Sequence, residues 1–232
     1  VIATHVSISA ACWLQAETWS QYGGDSKAPF SIAGSSAMHS PSAGDGWTPA
    51  IAWRKEIGPG MAAPVASEDA IFVCYLDPHQ EHHEVVACYD LRSGELQWKQ
   101  SYDAGWIESQ EAFGGRSRAP QATPLIIVDH IVTIGFTVWM NSIDRASGQV
   151  RWRINLVDQF GALPVQFGFS SSPIQINGLI IALVGGPRRG GLVAIDPIDG
   201  TTHWHVPCKE ASYATPVQIE LPQEDQIAFI TR

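Results

Sequence analysis

The sequence is short of positive charge: 14 Lys and Arg stand against 23 Asp and Glu in 232 residues, a formal net charge of −9. Phosphate backbones and anionic membranes call for a basic stripe, so nucleic-acid binding is not expected. Cysteine is scarce, with four residues in all and no Cys-x-x-Cys pair. That removes a disulfide scaffold and a cysteine zinc site. No apolar run approaches the ~20 residues of a membrane-spanning helix, and no segment carries a helical period. A Gly-x-Ser-x-Gly elbow and a Gly-Lys-Ser/Thr phosphate loop are both missing, which argues against a serine hydrolase and a nucleotide enzyme. What is abundant is 21 Gly, 15 Pro and 9 Trp, in a chain 45% hydrophobic and 16% charged. That is a folded, turn-rich protein with many large flat anchors.

Cys74 and Cys88 read as lying on the two strands of one hairpin. Seated opposite each other they would be within reach of a bridge; two buried free thiols are the favoured reading. The N-terminal stretch carries no charge before Glu17 and ends in small residues. Residues 1–16 are therefore expected to be the remnant of a secretory signal.

The organising feature is a repeat. Asp-x3-Gly-x3-Trp occurs at Asp90, Gly94 and Trp98, at Asp144, Gly148 and Trp152, and at Asp196, Gly200 and Trp204. A second landmark leads each unit, as Ala63-Pro64, Thr123-Pro124, Ser172-Pro173 and Thr215-Pro216. Each unit reads as four strands, with Asn177-Gly178 the strongest hairpin turn. Whole units are expected over about 62–101, 122–156 and 171–206, with an incomplete one over 212–232. In the last strand of the second unit, Val150–Leu156 is expected to run as one strand. The Asp accepts backbone N–H bonds across its turn, the Gly supplies positive φ, and the Trp wedges between neighbouring sheets. Four-stranded antiparallel units of about 50 residues predict an all-β protein, a β-propeller.

These closings, preceded by Cys88, Ser142 or Ala194 two positions before the Asp, resemble the repeats of the pyrroloquinoline-quinone (PQQ) family. That family includes quinoprotein alcohol dehydrogenases, BamB-like outer-membrane assembly factors and many exported propellers. Trp19 to Gly24, Gly168 to Pro173 and Ser212 to Val217 extend the likeness over about residues 17–232. Such propellers close with seven or eight blades, so the resemblance implies a fragment of about three and a half blades with others missing after Arg232.

Candidate sites are few. Asp77, His79, Glu81, His82, His83 and Glu84 cluster in one loop, the best metal-ligand candidate, although a solvated hairpin loop is the favoured reading. His203 and His205 share one strand face without a third ligand. The Gly185 to Gly191 loop with Arg188 and Arg189 reads as a hairpin loop rather than an anion cradle, and Arg116 and Arg118 precede the second unit. No catalytic residue and no metal site are assigned.

Three functions follow. The first is a non-catalytic, exported propeller, periplasmic or secreted, that binds an envelope protein or glycan and needs no cofactor. The second, implied by the resemblance, is a dehydrogenase of alcohols or sugars using PQQ and calcium, though the adjacent cysteines that often mark it are absent. The third is a sensor or adaptor domain of a longer protein. Fold alone does not choose between them.

Overall fold

The computed structural model describes residues 6–7, 20–22, 51–105, 119–137, 139–162, 168–186, 190–219, 221–222 and 225–231. A short pair, β1 (Val6–Ser7) and β2 (Glu56–Ile57), opens the chain. Three four-stranded antiparallel sheets follow, each a meander in chain order. The first blade is β3 (Val65–Ala66), β4 (Ala70–Leu76), β5 (His83–Asp90) and β6 (Leu96–Asp103). The second is β7 (Leu125–Ile127), β8 (His130–Ile134), β9 (Trp139–Asp144) and β10 (Val150–Asn155), followed by the helix α1 (Leu156–Phe160). The third is β11 (Ile174–Ile176), β12 (Leu179–Gly185), β13 (Gly191–Ile195) and β14 (Thr202–Val206). A final pair joins β15 (Val217–Ile219) to β16 (Gln226–Ala228). These are the blades of a β-propeller, and among the described residues the fold is all-β but for one turn of helix.

The middle strands are near-continuous apolar runs because each blade is buried on both faces. From β4 and β5, Phe72, Cys74, Val86 and Cys88 pack toward the second blade, against Ile131 and Ile143. Their neighbours Ile71, Val73, Val85 and Ala87 face the other way, onto Trp53. The second and third blades share a larger core in which Met140 and Leu156 meet Ile180, Val193 and Ile195. The outermost strands β6, β10 and β14 are mostly exposed.

The lead-in strands start later than their composition implies. The third unit is expected from about residue 171, and its pairing begins only at Ile174. Proline supplies no N–H to the ladder, and the residue before it bonds the next blade instead. Thr123 N–H donates to Ser172 Oγ at 2.9 Å, and Ser172 N–H donates to Thr215 Oγ1 at 3.2 Å. A relay of hydroxyls thus ties the inner edges of successive blades.

The strand expected to run through Leu156 ends at Asn155. The Asn155 side chain accepts the N–H of Val157 and of Asp158, and Gly161 closes the turn in the left-handed conformation. A capped turn folds Leu156 and Phe160 into the core.

Candidate functional site

The repeat residues form one device used three times. Asp90 Oδ1 accepts the N–H groups of Arg92 and Ser93 at 3.0 and 2.7 Å. Asp144 Oδ1 accepts Ser147 N–H at 2.7 Å, and Asp196 Oδ1 accepts Ile198 N–H at 2.8 Å. The Ser93 N–H and hydroxyl hold the carboxyl of Asp90 below the usual range, and the Ser147 hydroxyl, the Arg151 guanidinium and the Ser147 N–H do the same for Asp144. Gly94, Gly148 and Gly200 turn with φ of 69°, 73° and 77°. Each glycine then lies under the tryptophan of the preceding blade. A Cβ on Gly94 would meet the Trp53 ring at 2.5 Å, one on Gly148 the Trp98 ring at 2.6 Å, and one on Gly200 the Trp152 ring at 3.1 Å. Each indole N–H donates at 2.9 Å to the carbonyl after the aspartate: Trp53 to Leu91, Trp98 to Arg145, Trp152 to Pro197.

Trp53 is a member of this series that the strict motif did not reveal. Asp45 stands eight positions before it, as in the other repeats, but Pro49 occupies the glycine position. A search tolerant of that one change would have found it.

Cys88, Ser142 and Ala194 sit directly across the ladder from Trp98, Trp152 and Trp204. A small side chain is needed opposite each indole. Cys74 pairs with Val86 and Cys88 with Phe72, so the two sulfurs are diagonal rather than opposed, and both are free and buried. Burial pushes the thiol of Cys88 up to about 12 and raises that of Cys74 further, leaving neither reactive.

Ser142 also completes a series that resembles a hydrolytic triad. Asp129 Oδ1 lies 3.0 Å from His130 Nε2, and His130 Nδ1 lies 2.7 Å from Ser142 Oγ. Ser142, however, is fully enclosed at 0% exposure, beneath the Trp152 strand. A nucleophile must reach its substrate, so the arrangement is a structural clasp.

The His- and acid-rich loop separates rather than gathers its side chains. His79 and Glu81 are exposed, His83 Nδ1 lies 3.0 Å from the Glu81 carbonyl, and Glu84 turns into the core. There Glu84 Oε2 accepts the Tyr102 hydroxyl and Oε1 accepts Phe136 N–H, both at 2.7 Å. The second bond crosses to the next blade, where the bare Gly135 leaves room for the carboxylate. Burial raises the carboxyl pKa, while these two hydrogen bonds oppose the rise. Among the described residues no three His, Cys, Asp or Glu side chains converge as a metal site. His203 contacts Asp196 at 3.2 Å and His205 is exposed on β14. Arg116, Arg118, Arg188 and Arg189 lie outside the described residues, as do residues 1–16 apart from Val6 and Ser7.

A cleft of about 410 Å³ opens beside the inner strands β11 and β15. Its walls include Tyr22, Gln121, Ser170, Tyr213, Thr215 and Gln218; the described lining residues are uncharged, and Gln218 Nε2 donates to Asp225 Oδ2 at 3.1 Å. The segment Ser20–Tyr22 closes part of the inner edge: Ile126 N–H donates to the Ser20 carbonyl at 2.6 Å, and Gln175 N–H donates to Gln21 Oε1 at 2.9 Å.

The model of one protein family, described as outer membrane protein assembly factor BamB, matches residues 41–221. The chain belongs to that family. BamB from Moraxella catarrhalis is similar over 68% of this chain and 40% of its own, at 14% identity and a TM-score of 0.45. Quinohemoprotein alcohol dehydrogenase from Comamonas testosteroni is similar over 63% of this chain and 21% of its own, at 20% identity and a TM-score of 0.42. The quinohemoprotein alcohol dehydrogenase ADHIIG of Pseudomonas putida HK5 is similar over 63% of this chain and 20% of its own, at 21% identity and a TM-score of 0.44. The chain thus spans less than half the length of each of these proteins. No curated protein matches the sequence.

PQQ carries three carboxylates and calcium is a hard cation that takes oxygen ligands, carboxylates among them. The cleft of this BamB-like propeller supplies amides, hydroxyls and tyrosine rings, with neither a cation nor a carboxylate among the described residues. The described lining alone does not match that pair, and no chemistry is derived through it.

Proposed function

We propose that this BamB-like chain is a non-catalytic, exported β-propeller that presents a binding surface to a protein or glycan partner of the cell envelope. The observation that carries the reading is the family match to an outer membrane protein assembly factor across residues 41–221. The chemistry of the described residues supports it. The Asp129–His130–Ser142 series is sealed, and the thiols of Cys74 and Cys88 are buried while Cys208 is half-buried. Such a surface binds without PQQ or calcium. No helix among the described residues is long and apolar enough to cross a membrane.

The test is calorimetric titration of the protein with PQQ and calcium, followed by dye-linked oxidation of alcohols and sugars. The expected result is neither heat nor turnover. Micromolar binding with turnover would make the protein a quinoprotein dehydrogenase and overturn the reading. Fractionation of cells expressing the full-length gene checks export, with the protein expected in the periplasm or the medium.

A further inference from the structure

The tight turn between β11 and β12 holds a side chain and a backbone nitrogen that are poised to react with each other. We propose that Asn177 is a site of spontaneous covalent modification, deamidated to aspartate and isoaspartate through a succinimide closed by the Gly178 nitrogen. Water is the only co-reactant. The Gly178 amide gives its proton to hydroxide and attacks Asn177 Cγ. The new N–Cγ bond closes the ring, the Cγ–Nδ2 bond breaks, and ammonia leaves. Water then opens the ring at either carbonyl. Addition at Cγ gives aspartate, and addition at the main-chain carbonyl gives isoaspartate, whose backbone runs through the side chain. No oxidant or reductant takes part, and either product adds a negative charge.

The reaction needs a free nitrogen, an unheld side chain and room for the ring. Asn177 is exposed, and neither its amide nor the Gly178 N–H is hydrogen-bonded among the described residues. Gly178 turns with φ 78° and has open space where a Cβ would stand. Ile176 pairs directly with Leu179, so the two turn residues stand outside the ladder and open without unpairing it.

The other asparagines, Asn141 and Asn155, are both held. Asn141 is buried; its Oδ1 accepts Arg153 Nε at 2.6 Å and its Nδ2 donates to Thr133 Oγ1 at 3.3 Å. Asn155 Oδ1 accepts the N–H groups of Val157 and Asp158 at 3.0 and 3.2 Å. Asp199-Gly200 has the same small second residue, but there the nitrogen is engaged. Gly200 N–H donates to the Asp196 carbonyl at 3.0 Å, and Asp199 Oδ1 accepts Thr201 N–H at 2.8 Å.

The experiment incubates the folded protein at mildly alkaline pH over days, with a parallel sample in urea, and digests both with trypsin. Residues 154–188 leave as one peptide, so Asn155 is an internal comparison for Asn177. Tandem mass spectrometry of the folded sample is expected to place the amide-to-acid change at residue 177, with Asn141 and Asn155 intact. Isoaspartyl methyltransferase is expected to label the same peptide. The peptide of residues 190–209, which carries Asp199, is expected to take label only from urea. Asn177→Gly keeps a turn-forming pair and Asn177→Gln keeps the amide on a longer arm; both are expected to lose the signal. Circular dichroism checks that each is folded.

An Asn177 that stays intact in the folded protein overturns the proposal. So does conversion of Asn141 or Asn155 at the same rate, or label on 154–188 that survives both substitutions. Equal labelling of Asp199 in the two samples also counts against it, because a held nitrogen would then give no protection.

Discussion

Trp98 of the first blade lies flat on Gly148 of the second, so close that a single methyl on the glycine would stand 2.6 Å from the ring. The same indole donates to the Arg145 carbonyl within that turn. The glycine is therefore required twice, once for its φ of 73° and once for the indole above it. Gly178, at φ 78°, faces open space and carries only the first requirement. Gly148→Ala should cost about 3 kcal/mol, adding overpacking to backbone strain. Gly178→Ala should cost about 1 kcal/mol. Urea denaturation of both variants separates the two terms, and equal losses would show that the indole contact contributes nothing.

The turn before β8 holds a strained residue. Val128 adopts φ 56° with its side chain 67% exposed, where the corresponding turn of the third blade has Asn177 at φ 50°. A β-branched residue is disfavoured in the left-handed region and asparagine is enriched there. Val128→Asn should stabilise by about 1 kcal/mol, since no packing is lost. A lower denaturation midpoint for this variant would show that Val128 makes a contact that outweighs its strain.

How much of this was legible in the sequence depends on how local the determinant is. Asp90, Gly94 and Trp98 lie within one turn and strand, and their spacing repeats, so blade number and strand order could be read directly. Which glycine each tryptophan covers is a relation between blades, some 50 residues apart. It could not be read from spacing within a blade. Trp53 was missed because Pro49 broke the pattern. Glu84 was grouped with its loop because its partner, the Phe136 N–H, belongs to another blade. The cleft was invisible for the same reason: Tyr22, Ser170 and Tyr213 come from three distant stretches of chain.

Glu84 makes stability depend on pH in a defined direction. Burial raises its folded-state pKa above the ordinary 4.5, so the folded protein holds this proton where the unfolded chain has released it. Its contribution is unpenalised below about pH 4.5 and is lost as pH rises toward the folded pKa. Glu84→Gln keeps an acceptor for Phe136 N–H and an amide for Tyr102, without the charge. Its stability relative to the parent should rise as pH climbs above about 4.5 toward neutrality. Glu84→Ala instead orphans both partners, at about 1–3 kcal/mol each. A stability difference for Glu84→Gln that stays flat across this range would mean that the buried carboxyl does not take up a proton.

The three motif tryptophans should not be equivalent, although the sequence presents them identically. Trp98 and Trp152 each cover a glycine turn and donate to its carbonyl. Trp204, on the outer strand β14, is 38% exposed, and no glycine turn of the described residues lies beneath its ring. Trp98→Ala and Trp152→Ala should each cost about 3 kcal/mol, the low end of the range for removing a buried ring, since both rings are half-buried. Trp204→Ala should cost about 1 kcal/mol, since much of its ring already meets solvent. Iodide quenching gives an independent reading: Trp204→Phe should lower the quenchable share of tryptophan emission more than Trp98→Phe does. Equal stability losses at all three positions would mean that Trp204 is covered in solution, and the surface it covers would then be part of the assembled propeller rather than a free face.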